Sequence, residues 1–188
     1  RGLMAEALRA ALADAFGPRV ALHRVQANVR PENVRSLALL GTHSGGPWAV
    51  HAEPKVRQLL FDTATMSAED SLHAMRPHTY ARDTADALFD EDALVRLANQ
   101  PIARDYQAQL YALIGWSVYQ DLPRLTCPTL VMHGLQDQLI PPANATRTAQ
   151  RIAGAQLIEL PDASHWLMTD QNAQVIGALR AHIDAHTP

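Results

Sequence analysis

Two short segments in the last third of the chain place a titratable side chain where a strand gives way to a loop. The first is His133-Gly134-Leu135-Gln136-Asp137-Gln138-Leu139-Ile140-Pro141, at the end of an apolar run that begins at Cys127. The second is Leu160-Pro161-Asp162-Ala163-Ser164-His165-Trp166. Neighbouring parallel strands would bring both loops to one edge of a sheet. Asp137 would then accept a hydrogen bond from one ring nitrogen of His165. Such a bond fixes the tautomer, stabilises the imidazolium and leaves the other nitrogen free as a general base. Taken alone, an Asp after a strand is more often a turn former or helix cap, and a lone His is more often structural. Together, in this order and each on its own strand end, the two outweigh either structural reading taken singly; a catalytic role is a separate claim.

The elements around these residues can be read from apolar periodicity. Cys127 to Gly134 is a near-continuous apolar run, as expected of a strand buried on both faces of a parallel sheet. Ala143 to Ile152 reads as a helix opened by Pro141-Pro142, Gln156 to Leu160 as a second strand, and Asn172 to Ala185 as a closing helix. Strand and helix in alternation mark an α/β protein. Upstream, Val34 to Leu40 is a strand that ends at Gly41, and 41–54 reads as irregular. Lys55 to Trp116 is helical throughout, in the pieces Lys55 to Met66, Ala68 to Met75, Ala81 to Phe89, Glu91 to Asn99 and Ile102 to Ile114, broken at Pro77 and Pro101. At the start, Leu3 to Phe16 has a helical apolar face ended by Gly17-Pro18, and Arg19 to His23 reads as a short strand.

These segments closely resemble the α/β-hydrolase family. Val131-Met132-His133-Gly134-Leu135-Gln136-Asp137 is similar to its acid loop, and Leu160 to Trp166 to its histidine loop. Arg30-Pro31-Glu32-Asn33-Val34 through Gly46-Pro47 resembles the stretch after the nucleophile helix. Thr42-His43-Ser44-Gly45-Gly46-Pro47 and Gly115-Trp116-Ser117-Val118-Tyr119 to Pro123 are most similar to the esterase and enol-lactonase-like branch. The resemblance implies a partial hydrolase core, a mostly parallel sheet of roughly three to four strands, carrying a helical cap insertion. The core would comprise 1–53 and 117–188, and the cap 54–116. It implies Asp137 as triad acid, His165 as triad base, and a small ester or lactone substrate. The order acid before histidine agrees with the family order. Trp48, Trp116 and Trp166 are the expected substrate-binding residues, Trp166 because it follows His165 directly. Met66, Leu72, Met75 and Tyr80 could line the same pocket, though for the first three helical spacing fits ordinary packing better.

The nucleophile is the departure. The family sets its serine on a sharp strand-to-helix turn, G-x-S-x-G, and no such motif occurs in the sequence. Two alignments are open. In one, Ala15 stands where the serine belongs. In the other, which the good periodicity of Met4 to Ala15 favours, Arg19 to His23 is the elbow strand and the elbow is deleted between His23 and Val25. The upstream strands and first oxyanion-hole loop are not identifiable either. Ser44 only superficially copies an elbow: Thr42 replaces the needed glycine, and Pro47-Trp48 is a poor helix start. Ser164 reads as a residue that positions the histidine loop, and Cys127 as core.

Composition bounds the rest. The chain has 188 residues, 47% hydrophobic and 19% charged, enough for one domain with a sizeable core. A net charge of −3 gives no basic surplus for nucleic acid, and no window approaches the ~20 apolar residues of a membrane span. One cysteine excludes an intrachain disulfide and suits a cytoplasmic location. The chain opens on Arg1 with no signal-peptide pattern, so it is either processed or a piece of a longer protein. Among the nine histidines, His43, His51, His73 and His78 show no ligand spacing and read as solvated loop residues, so no metal and no cofactor is expected. An open sheet edge invites homo-oligomeric association. Three readings follow: a hydrolase of esters or lactones, a degenerate hydrolase that binds small molecules without turnover, and an inactive truncated product.

Overall fold

The structure is a computed structural model that describes residues 36–98 and 115–186. The helix expected at Leu3 to Phe16, the strand at Arg19 to His23, both nucleophile alignments, the helix at Ile102 to Ile114 and the break at Pro101 lie outside the described residues.

Among the described residues three parallel strands form a sheet, β1 (Leu37–Leu40), β2 (Thr129–Gly134) and β3 (Gln156–Leu160), in that order. The register pairs Leu37 with Thr129 and Leu40 with Met132, then Leu130 with Gln156 and Gly134 with Leu160. Every residue of the central β2 is buried, which explains its unbroken apolar run. The strand starts at Thr129 rather than at Cys127 because Pro128 has no N–H for the ladder. It contributes only its carbonyl, to the Leu37 N–H at 2.9 Å. Cys127 is half-buried outside the strand, so it is not a core thiol.

Side chains alternate across a strand. Leu130 and Met132 point into a core with Leu160, Ala163, Leu167, Met168, Val175 and Leu179. The last four belong to α5 (Leu167–Asp170) and α6 (Asn172–His186), so these helices cover that face. Val131 and His133 point the other way, and α4 (Ala143–Arg151) packs on β2 and β3. Each fully buried apolar side chain of this kind contributes roughly 1.5–3 kcal/mol.

Between β1 and β2, the described chain from 54 to 98 holds only helices: α1 (Pro54–Asp62), α2 (Ala68–Thr79) and α3 (Asp86–Ala98). Ser67 caps α2 by accepting the Asp70 N–H at 3.1 Å, with Glu69 and Asp70 in the first turn and Arg76 and His78 in the last, matching the helix dipole. Pro77 does not break this helix as the sequence suggests. It sits in the last turn, where the missing N–H removes a single bond, and Tyr80 N–H still donates to the Arg76 carbonyl at 3.0 Å. The two helices expected over 81–99 are one. Residues 81–85 form a loop, and α3 runs unbroken from Asp86, burying Phe89 and Asp92 on one face. Gly46–Trp48 forms a 3-10 turn with Pro47 at its start, and α1 already begins at Pro54, so 41–54 is less irregular than its composition suggests. Among the described residues no helix is long and apolar enough to cross a membrane.

Candidate active site

Parallel pairing of β2 and β3 sets their carboxyl ends side by side, and backbone hydrogen bonds then fuse the two loops. Leu135 N–H donates to the Leu160 carbonyl and Gln136 N–H to the Ala163 carbonyl, both at 2.9 Å. Ser164 Oγ, fully buried, donates to the Gln136 carbonyl at 3.1 Å, and Gln136 Nε2 donates to the Pro161 carbonyl at 3.0 Å. So close an approach requires Gly134, where a Cβ would lie 2.3 Å from the Ser164 carbonyl oxygen and 2.4 Å from that of Ala163. From the β1 side, Gly41 at φ +53° leaves room for His165, whose carbonyl oxygen would lie 3.3 Å from a Cβ there.

Asp137 and His165 meet in this crevice. Asp137 Oδ1 accepts the backbone N–H groups of Leu139 at 2.9 Å and Ile140 at 2.8 Å. Asp137 Oδ2 lies 2.9 Å from His165 Nδ1. Facing a carboxylate, that nitrogen carries the hydrogen, and Nε2 has no hydrogen-bond partner among the described residues. The Asp137 side chain is fully buried, while that of His165 keeps 17% of its surface exposed. Burial works to raise the Asp137 carboxyl. The hydrogen bonds from His133 and His165, the charge of His165 and the Ile140 N–H outweigh it, so the carboxyl ends below the ordinary carboxylate range. A buried anion with four donors is the orienting group that an imidazole base needs.

The tryptophans separate. Trp166 meets His165 edge-on, ring centroids 5.0 Å apart, and Arg96 of α3 lies 3.8 Å over its indole. Trp116 is 41% exposed and meets the ring of His43, in the loop after β1. Trp48, 50% exposed, stacks on Tyr119 at 5.4 Å and accepts a bond from Arg147 through its carbonyl. Among the described residues, neither of these two shares a ring contact with His165. Ser44 is buried, and its carbonyl accepts the Val118 N–H at 2.8 Å. His73 and His78 are not loop residues: both lie on α2, His73 exposed and against Phe89, His78 donating from Nδ1 to Gln138 Oε1 at 2.9 Å. His43 is tied into its own loop, its Nδ1 accepting the Gly45 N–H at 2.8 Å, and burial, then His51, lowers its pKa.

Sequence reasoning missed three residues of this crevice. His133, at the end of β2, puts Nε2 3.2 Å from Asp137 Oδ2, and its position four residues before the acid was the available signal. Gln136 joins both loops to the helical segment, accepting the Arg82 N–H at 2.9 Å. Asp170 accepts Ser164 N–H at 2.7 Å, Thr84 Oγ1–H at 2.6 Å and Ala81 N–H at 3.2 Å. Burial raises its pKa despite these donors, with Asp92 adding to the rise. Its partners are far apart in sequence, so no local pattern marks it. With Trp166 N–H on the Thr79 carbonyl and Gln138 N–H on that of His78, the stretch 77–84 is laced onto both loops.

A parallel α/β sheet with a buried acid and a histidine on adjacent strand ends defines the class of protein. The Alpha/beta hydrolase family profile matches residues 3–178, and the chain belongs to that family. It is 29% identical over 146 residues to a poly(3-hydroxyalkanoate) depolymerase of Ectopseudomonas oleovorans, covering 76% of this chain and 50% of that protein. Among solved structures it is similar to an esterase from Thermogutta terrifontis (TM-score 0.66, 22% identity, 84% of this chain and 58% of that one). It is also similar to an esterase from Exiguobacterium antarcticum (TM-score 0.66, 21% identity, 81% and 58%). At these identities the two structures speak to the fold alone. The chain spans about half the length of the depolymerase it matches.

Proposed function

We propose that the chain carries the acid and base of a serine hydrolase acting on carboxylic esters or lactones, with 54–116 as a helical cap over a core of 1–53 and 117–188. The observation that carries this reading is the 2.9 Å bond from His165 Nδ1 to the buried Asp137 carboxylate, with Nε2 left without a partner among the described residues. In that role Nε2 takes the proton of a serine hydroxyl as its oxygen attacks the ester carbonyl, then returns it to the leaving alkoxide. A water repeats the cycle to release the acid. Asp137 holds the tautomer and offsets the imidazolium charge. Trp166, against His165, is the substrate-facing tryptophan with the best support, and Trp48 and Trp116 belong to the outer lining. The relative named as a poly(3-hydroxyalkanoate) depolymerase supports a hydrolytic reading.

One specific observation favours a second reading, a hydrolase-like module that binds small esters without turning them over: the sequence holds no G-x-S-x-G. One assay separates the two. Short-chain p-nitrophenyl esters are offered to the chain, and to any longer protein that contains it, with His165→Ala in parallel. The hydrolase reading expects turnover that falls by about a hundredfold or more in the variant. Thermal stabilisation by an ester without His165-dependent turnover in either protein overturns it in favour of the binding module.

A further inference from the structure

Two imidazoles, not one, converge on the acid. Asp137 Oδ1 is already held by the Leu139 and Ile140 N–H groups, so the direction of the carboxylate depends on what holds Oδ2. His165 Nδ1 reaches Oδ2 at 2.9 Å and His133 Nε2 reaches it at 3.2 Å. The same His133 nitrogen lies 2.7 Å from the Ile140 carbonyl oxygen. A carbonyl only accepts, so Nε2 carries the hydrogen and shares it between Ile140 and Asp137. The other nitrogen, Nδ1, is buried with no partner among the described residues, and a hydrogen there would lack an acceptor. The His133 side chain is wholly buried, on the central strand of the sheet. Its tautomer and its place are therefore fixed by the part of the fold least able to move.

We infer that His133 is a positioning residue for the acid–base pair: its Nε2–H pins Asp137 Oδ2 and the Ile140 carbonyl together, so that this oxygen faces His165. This role rests on Asp137 and His165 working as acid and base. Oδ1 on backbone and Oδ2 on β2 together leave the carboxylate no free rotation, and a base oriented by a fixed carboxylate loses less to reorganisation. The other titratable groups packed around the pair act elsewhere. Tyr80 and Arg96 meet Trp166, Asp92 accepts from the Tyr80 hydroxyl, His78 bonds Gln138 and Asp170 holds the Ser164 N–H. Among the described residues none of them donates to Asp137.

Nuclear magnetic resonance of the ¹⁵N-labelled chain tests the role through ring-nitrogen shifts and the exchange of the imidazole N–H protons with water. The expected wild type shows His133 protonated on Nε2 and a protected His165 Nδ1–H. His133→Gln, whose amide N–H reaches about where Nε2 lies, keeps the His165 signal. His133→Leu, without a donor, speeds its exchange by about tenfold or more. Asp137→Asn is the control for the pair and abolishes the protected signal. If Asp137→Asn changes nothing, the acid–base pair itself falls. If Asp137→Asn removes the signal while a folded His133→Leu leaves it unchanged, or a folded His133→Gln loses it, the His133 role alone falls. Should His133→Leu not fold, the wild-type spectrum decides: a hydrogen found on His133 Nδ1 overturns the role.

Discussion

Asp137 gathers four donors on two oxygens, two from its own loop and two from imidazoles on β2 and the histidine loop. Because its folded pKa is depressed, with burial overcome by those donors, it contributes stability above the ordinary carboxylate range. That contribution is lost as pH falls through the depressed value. Asp137→Asn removes the charge and leaves an amide whose N–H₂ faces donors rather than acceptors. We expect a loss on the order of 2–4 kcal/mol in urea unfolding at pH 7. We also expect a flatter acid limb, so that wild type and variant approach one another as the pH drops below the carboxylate range. Equal slopes in both proteins would show that Asp137 is not the titrating group. Asp170 has the opposite sign: burial, with Asp92, raises its pKa, so its charge weakens the fold as pH rises through the raised value.

At the level of elements, the crevice exists because β2 and β3 run parallel and end together, with Gly134 paired to Leu160. A glycine is demanded there by the backbone of Ala163 and Ser164, with no flexible side chain to yield. Gly134→Ala should therefore force the two loops apart rather than simply lose entropy. The expected result is a destabilisation above about 2 kcal/mol together with loss of the protected His165 Nδ1–H, read in the same sample. A folded Gly134→Ala chain with the signal intact would mean that the loops can part without moving the pair. Gly177, on α6, is a useful contrast, because a Cβ there meets nothing within 4 Å, and Gly177→Ala should be neutral or mildly stabilising in a helix.

In the molecule as a whole, the helical segment is tied to the sheet by a few long-range bonds around residues 77–84. Asp170 is the busiest of these ties, holding Ser164, Ala81 and Thr84 with one carboxylate. Asp170→Ala leaves two buried or half-buried backbone N–H groups without that acceptor, and the segment should open more often while the sheet stays closed. Faster amide exchange over 77–98, with β2 protection unchanged, is the expected readout. Uniform loss of protection across both regions would show that the segment and sheet unfold as one unit.

How much of this was legible in advance follows from the range of the signals. The strand and helix bounds of the last third read well because apolar periodicity is local: Gln156–Leu160 was expected residue for residue, and Asn172–His186 to within one. Pro77 was misread because a proline's cost depends on how much helix follows it, which local pattern does not reveal. The loop at 81–85 and the unbroken α3 were misread because helical propensity runs through both, while the bonds that end α2 at Thr79 come from partners elsewhere.

By itself the sequence determined the α/β order, the two strand-end loops and the candidate pair Asp137 and His165. Tertiary structure alone decided that they meet at 2.9 Å, that His133 shares the same oxygen, that Asp170 ties the helices to the histidine loop, and that Trp166 meets the His165 ring. The division has a physical cause. Residue order and periodicity fix which face an atom occupies, but which donor finds which acceptor is set by strand register, and register is a property of two segments at once.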